Sequence, residues 1–236
     1  METRSENSGP GGPEVSIVKS RGALDREERV VKDGILRMGS LVEAQIRGGV
    51  RALIDRDLGL AESIITGDEA VNSAQREVTD TIAMTIATQS PVARDLRFLL
   101  ALNHVASELE RIGDHASSIA KQTRWLAGEP RLPVAAELLD IGNLAADLVA
   151  GVLRALVDVD DHQARTVASM DDEIDHRYRR VFEDVIQAMR ADPMVVESGT
   201  RVILAGHWIE RIGDRVTNIA EDIVYLATGE IEDLNR

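Results

Sequence analysis

The stretch Glu110-Arg-Ile-Gly-Asp114 recurs as Glu210-Arg-Ile-Gly-Asp214, one hundred residues further on. The match runs on through Ile119-Ala120 against Ile219-Ala220. Between Glu108–Ala127 and Trp208–Ala227, nine of twenty positions are identical. Unrelated helices would share about one or two, so the chain holds two copies of one supersecondary unit. Apolar residues around the second copy (Ile209, Ile212, Val216, Ile219 and Ile223) recur at three and four, the period of a helix with one buried face.

Proline and glycine punctuate the rest. Pro91 after Ser90 and Pro193 after Asp192 read as helix starts, a capping residue followed by proline at the first helical position. Pro130 and Pro133 follow Gly128 and separate the two copies. A seam through Val31, Ile35, Met38, Val42, Ile46, Leu53, Leu60 and Ile64 predicts a first helix over 23–65. Gly67 and Asp68 are read as its C-cap and the N-cap of a second helix ending at Gln89. A third helix spans 91–127, and three more are expected over 133–158, 161–190 and 193–227, the last stopped by Gly229. A helix of 37 residues, about 55 Å at 1.5 Å per residue, must lie beside its neighbours. The expectation is therefore an all-α protein. Two tandem three-helix bundles, 21–128 and 129–236, are built from six long antiparallel helices and follow a disordered tail over 1–20.

Composition agrees with helices and narrows function. Hydrophobic residues make up 44% of the chain, but only six are Trp, Tyr or Phe, so the core is aliphatic. Against 27 Lys and Arg stand 41 Asp and Glu, a net charge of −14. That sign and the few aromatics argue against nucleic acid. With no cysteine, disulfides, thiolate nucleophiles and Cys-bound metal are excluded, and a reducing cytoplasm fits. No run reaches the roughly twenty apolar residues of a membrane span, and the first twenty residues lack a signal-peptide core. There is no Gly-rich phosphate loop and no nucleophile–base constellation, so no catalysis is expected.

On a helical wheel with Ile209 at zero, the apolar seam centres near 320°, while Glu210, Asp214 and Glu221 fall at about 100–140°. These carboxylates should point away from the core. Four residues apart, they share a face, and their repulsion costs a few tenths of a kcal/mol unless a cation sits there. A solvated charged face is the plain alternative. Asp68-Glu-Ala-Val-Asn72 and Asp171-Asp-Glu-Ile-Asp175 supply partners if second and third helices lie antiparallel. Four oxygens would then converge on each bundle, a set suited to Fe, Mn, Mg, Ca or carboxylate-bound Zn. His207, near 160°, could add a nitrogen; its first-copy counterpart is Ser107. Glu173-x-x-His176 is half of a di-iron motif and has no first-copy counterpart. His104, His115 and His162 read as surface or rim residues, and Trp125 and Tyr225 as bundle-end packing.

The doubled Glu-Arg-Ile-Gly-Asp, the acidic clusters before it and Asn218-Ile-Ala-Glu221 after the second copy resemble the PhoU family of phosphate-uptake regulators, over about 25–230. The resemblance implies two three-helix bundles side by side, with multinuclear iron or zinc clusters on their surface. It implies ligation by Asp171, Asp175, Glu210 and Asp214 in the second repeat and by Asp68, Glu110 and Asp114 in the first. Asn72 departs from the pattern: an amide oxygen brings no charge, so the first site should hold metal less firmly. His207, Asn218 and Glu221 are further candidates. The resemblance also implies a cytoplasmic negative regulator that contacts a phosphate ABC transporter and a phosphate-sensing histidine kinase, meeting the membrane only through them; a homodimer stays open. The alternatives are a ferritin-like di-metal protein, a metal-free helical adaptor and an accessory protein of a simple phosphate permease.

Overall fold

The computed structural model describes residues 13–235. In chain order it contains α1 (Pro13–Asp55), α2 (Leu58–Gln89), α3 (Arg94–Leu126), α4 (Ala135–Asp158), α5 (Asp161–Ser169), α6 (Asp171–Ala191) and α7 (Val196–Thr228). A 3₁₀ turn over Pro193–Val195 precedes α7. Helices α5 and α6 are separated only by Met170 and act as one broken rod, so six rods form two bundles of three. Residues 1–12 of the expected tail lie outside the described residues. Residues 13–20 are helical, the first turns of α1, and this corrects the tail reading for that stretch.

Two further boundaries differ from expectation. The first helix ends at Asp55, ten residues before the reading from its apolar seam. Arg56 turns the chain with φ 58°, and the Asp57 side chain caps α2 by accepting from Leu60 N at 2.9 Å. The second repeat does the same: Val159 has φ 51° and Asp160 accepts from Gln163 N at 3.0 Å. In both, the capping aspartate's N–H reaches back to close the preceding helix, Asp57 to the Ala52 carbonyl and Asp160 to Ala155. Gly67 and Asp68 are therefore inside α2. Ser90 ends α2 in the left-handed conformation instead of opening α3, which starts three residues after Pro91. Asp192 and Pro193 do open a helical turn, with Met194 N donating to Asp192, and Gly229 at φ 79° closes α7.

Two-residue turns force successive rods to reverse. Cross-strut contacts confirm the directions: Arg124 meets Glu62 while Thr79 meets Asn103, so α2 and α3 are antiparallel. Arg47 of α1 donates to Asn143 and Asp147 of α4. His104 of α3 meets Asp222 of α7 while Glu108 meets Asn218, which makes that pair antiparallel too. Thus α1 packs on α4 and α3 on α7, joining the bundles side by side. The core is continuous across them, with Ile35, Met38, Ile112, Ile141, Ile174 and Ile212 all buried. Burying one such side chain stabilises by about 1.5–3 kcal/mol. The apolar stripes thus direct the motif-bearing helices α3 and α7 to the centre, each with one flank toward α2 or α6.

Candidate metal grooves and the seam between repeats

Each Glu-Arg-Ile-Gly-Asp segment carries its glycine in mid-helix, where glycine costs about 1 kcal/mol relative to alanine. The structure gives the reason. A Cβ added to Gly213 would lie 1.8 Å from Asp171 Oδ1, so the bare backbone of α7 is what the Asp171 carboxylate rests against. A Cβ on Gly113 would stand 3.5 Å from Asp68 Oδ1, 3.3 Å from Val71 Cγ1 and 3.1 Å from Gln45 Oε1. The residues that sequence reading passed over are these glycines and Gln45. Two helix-interior glycines in equivalent places were the available signal.

In the second groove, Asp171 opens α6 and is 8% exposed, with Asp175 one turn on; Glu210 and Asp214 face them from α7. Burial and then the Asp175, Asp214 and Glu210 carboxylates push the Asp171 pKa up to about 7. Asp175 is raised by burial and then by Asp214, and Glu210 by burial and then by Asp214. Asp171 Oδ1 and Asp175 Oδ1 are buried without a hydrogen-bond partner, and Glu210 Oε2 is buried with only His207 beside it. His207 Nδ1 lies 3.1 Å from Glu210 Oε2, so the histidine is at the groove, while Arg211 pairs with Asp214 at 2.9 Å.

The first groove has the same frame and weaker charge. Asp68 and Asn72 lie on α2, with Asn72 Nδ2 donating to Asp68 Oδ2 at 3.4 Å; Glu110 and Asp114 lie on α3. Burial and then Asp114 raise the Asp68 pKa, with Lys121 opposing; burial, Asp114 and Asp68 raise Glu110. Asp68 Oδ1 and Asn72 Oδ1 are again buried and unpartnered. Glu110 is half-buried and Asp114 exposed, as the wheel anticipated. Among the described residues, no group of three His, Asp or Glu side chains stands gathered closely enough to hold a metal ion. What the grooves offer is orphaned oxygen. Such atoms are costly to bury, and hard cations are their natural partners.

Two sequence candidates lie elsewhere. Asn218 donates to Glu108 Oε2 at 3.0 Å across the α3–α7 seam, and Glu221 accepts from Leu234 N at 2.9 Å. Both share a helix flank with Asp214 and are engaged by other elements, α3 and the C-terminal segment. Glu173 and His176 are exposed, Glu173 pairing with Arg177 at 2.6 Å, which removes the inward-facing di-iron arrangement. Trp125 is not packing material: it is 60% exposed, with Arg201 over its ring at 4.6 Å, and Arg97 lies over Tyr225 at 5.3 Å.

The seam carries a second polar cluster. Glu108, 1% exposed, accepts from Arg111 and Asn218, each at 3.0 Å, and from Arg215 at 3.4 Å. His104 Nδ1 is 2.6 Å from Asp222, whose pKa burial pushes up to about 6 against that contact. His115 stacks on Trp208 with ring centroids 5.2 Å apart and is half-buried, a rim position. Burial and the charges of Arg215 and Arg211 hold its pKa down at about 4.

A duplicated, two-bundle helical protein with a carboxylate groove on each half defines the class. A model of the PhoU domain family matches residues 35–123 and 138–223, one match per bundle. The chain belongs to the PhoU family. It is 37% identical over 202 residues, 85% of this chain and 92% of the relative, to the phosphate-specific transport system accessory protein PhoU homolog of Clostridium acetobutylicum. It is 35% identical over 88% of both chains to the homolog of Rhizobium meliloti. The crystal structure of PhoU from Pseudomonas aeruginosa superposes with a TM-score of 0.82 at 34% identity, covering 87% of this chain and 99% of that one. The phosphate transport system regulatory protein PhoU of Streptococcus pneumoniae gives 0.83 at 31%, covering 89% and 99%. No helix among the described residues is long and apolar enough to cross a membrane.

Proposed function

We propose that this chain is a cytoplasmic negative regulator of phosphate uptake and of phosphate-starvation signalling. It acts by contact with a phosphate ABC transporter and its sensor histidine kinase and carries iron or zinc in its two grooves. Membership of a family whose relatives are accessory and regulatory proteins of phosphate transport supports the first part. The observation that carries the second is the set of buried, unpartnered oxygens at equivalent places in both bundles, the Asp171 and Asp175 carboxylates in one and the Asp68 carboxylate and Asn72 amide in the other.

Asp171, Asp175, Glu210 and Asp214 would hold metal in the second groove, and His207 supplies the one nitrogen beside them. Asp68, Glu110 and Asp114 would do so in the first, with Asn72 as a neutral oxygen donor. Bound there, the cation would supply positive charge and open coordination positions. The chain's part is to keep the acids close while they repel. Gly213 lets Asp171 approach α7, and burial raises the energy of its uncompensated charge. The −14 net charge gives a surface able to steer toward a basic face of a partner.

No reaction is assigned to the chain. Deletion of the gene tests the regulatory role: transcription of phosphate-controlled genes should stay high in rich phosphate. Normal repression in the deletion strain sinks the proposal.

A further inference from the structure

At one end of the double bundle, α1, α3, the α4–α5 turn and α7 border a cavity of about 250 Å³, lined by none of the metal candidates. A water molecule needs about 10–15 Å³ of such space, so there is room for a ligand of many atoms.

The basic side of this cavity is Lys32 from α1 with Arg94 and Arg97 from the start of α3. Among the described residues none of the three forms an ion pair, although the chain carries a net charge of −14. Further along α1, by contrast, Arg37 and Arg47 each hold a carboxylate. Two of the three cations are steadied by aromatic rings instead. Lys32 Nζ stands 4.9 Å from the centre of the Phe98 ring, and the Arg97 guanidinium lies over Tyr225 at 5.3 Å, beside Gly229. A ring face holds a cation in place and leaves its N–H donors free for an anion.

The remaining lining narrows the kind of anion. Glu28 and Asp95 border the same cavity. Two carboxylates repel a bare chain of phosphates, but they accept hydrogen bonds from hydroxyl and amino groups. Val159 from the turn and Leu226 from α7 add an apolar wall. Cations, acceptors and an apolar wall around one space match a molecule that joins a phosphate chain to hydroxyl groups and a flat ring.

We propose that this cavity binds a nucleoside di- or triphosphate. Lys32, Arg94 and Arg97 take the phosphates, Glu28 and Asp95 accept from the sugar hydroxyls or the amino group of the base, and the base lies against Val159 and Leu226. An arginine fork meets phosphoryl oxygens two at a time, and a lysine adds a mobile point charge. Arg94 and Arg97 are exposed and Lys32 is half-buried, so the phosphates can be met near the surface. The walls come from both repeats, so a nucleotide seated there would tie α1 and α3 to α7 and bias how the bundles sit against each other.

The test is calorimetric titration of the full chain, stripped of metal by chelator, with ATP, GTP and inorganic triphosphate as separate titrants at constant ionic strength. At least one nucleotide should bind, and more tightly than inorganic triphosphate. Lys32→Met and Arg94→Gln should each weaken that binding by about tenfold to a hundredfold, the range for a hydrogen bond to a charged group. Arg76→Gln, on the exposed flank of α2 and away from the cavity, should leave it unchanged. Far-UV circular dichroism should be the same for all. The proposal is overturned if neither nucleotide binds at millimolar concentration, or if inorganic triphosphate binds as tightly as they do. It is equally overturned if Lys32→Met and Arg94→Gln bind like wild type, or if Arg76→Gln weakens binding as much as they do. Should Lys32→Met unfold, Arg94→Gln decides alone. No residue is shared with the metal grooves, so failure here leaves the metal assignment and the regulatory role standing.

Discussion

The two grooves share a backbone and differ in charge. Twelve residues before the capping aspartate of each repeat stands Gln45 in the first and Leu148 in the second. Asn72 stands opposite Asp175, and Lys121 holds the place of Glu221. The first groove thus gathers three carboxylates, two amides and a lysine whose charge eases Asp68. The second gathers four carboxylates and a histidine, packed tightly enough to push Asp171 up to about 7. Duplication kept the helix geometry, and substitution at a few positions made one site hungry for positive charge and left the other partly satisfied by the protein itself.

The comparison breaks most visibly if its strongest ligands are removed. Glu210→Ala with Asp214→Ala should empty the second groove, removing about half or more of the bound metal by elemental analysis, with helical circular dichroism intact because both side chains lie outside the core. Unfolding would show the pair to be structural. Next in size is the glycine pair. Gly213→Ala should displace Asp171 and lower second-site metal affinity, despite the gain of about 1 kcal/mol in helix propensity. In Gly113→Ala the new methyl meets its neighbours at ordinary or slightly tight distances, so metal binding there should change little. Equal effects from the two substitutions would contradict the difference in how closely each aspartate rests on its helix.

Proton linkage sharpens the contrast further. Asp171 titrates near 3.8 when unfolded and near 7 when folded. Between those values the native state binds more protons, so metal-free protein should lose stability as pH rises from about 4 to about 7 and level off above. Thermal unfolding across that range should show the fall, and Asp171→Asn should flatten it more than Asp68→Asn does. A melting temperature that rises with pH in the wild type, and is untouched by Asp171→Asn, would contradict the crowding. Smallest is the gain expected from Asn72→Asp: one added carboxylate should tighten the first site by about tenfold, read by competitive metal titration.

How much of this was legible follows from what each residue has to negotiate. The repeat, the helical class and the outward flank of Glu110, Asp114, Glu210 and Asp214 were readable because they depend on one helix and its own period. The end of α1 was not. Its seam continues through Leu60 and Ile64 across a turn made by Arg56 in the left-handed conformation, a role that arginine does not advertise. Gly67 and Asp68 imitated a pair of caps, although the break in the second repeat falls at Met170, the counterpart of Gly67, and only there. The contacts of Asn218 and Glu221 were not legible because a helical wheel cannot tell which flank another repeat or the returning C-terminal segment will cover. Trp125 misled for a related reason: its partner is Arg201 from the other bundle, visible only once the halves are docked. The family resemblance supplied which acids to watch; the orphaned oxygens show how each groove treats them.

The most direct test of unequal twin sites is to load metal-free protein with one equivalent of a single metal and locate it by anomalous scattering. The account predicts density between Asp171, Asp175, Glu210 and Asp214, with little at Asp68 and Asp114. Equal density in both grooves, or more in the first, would contradict it.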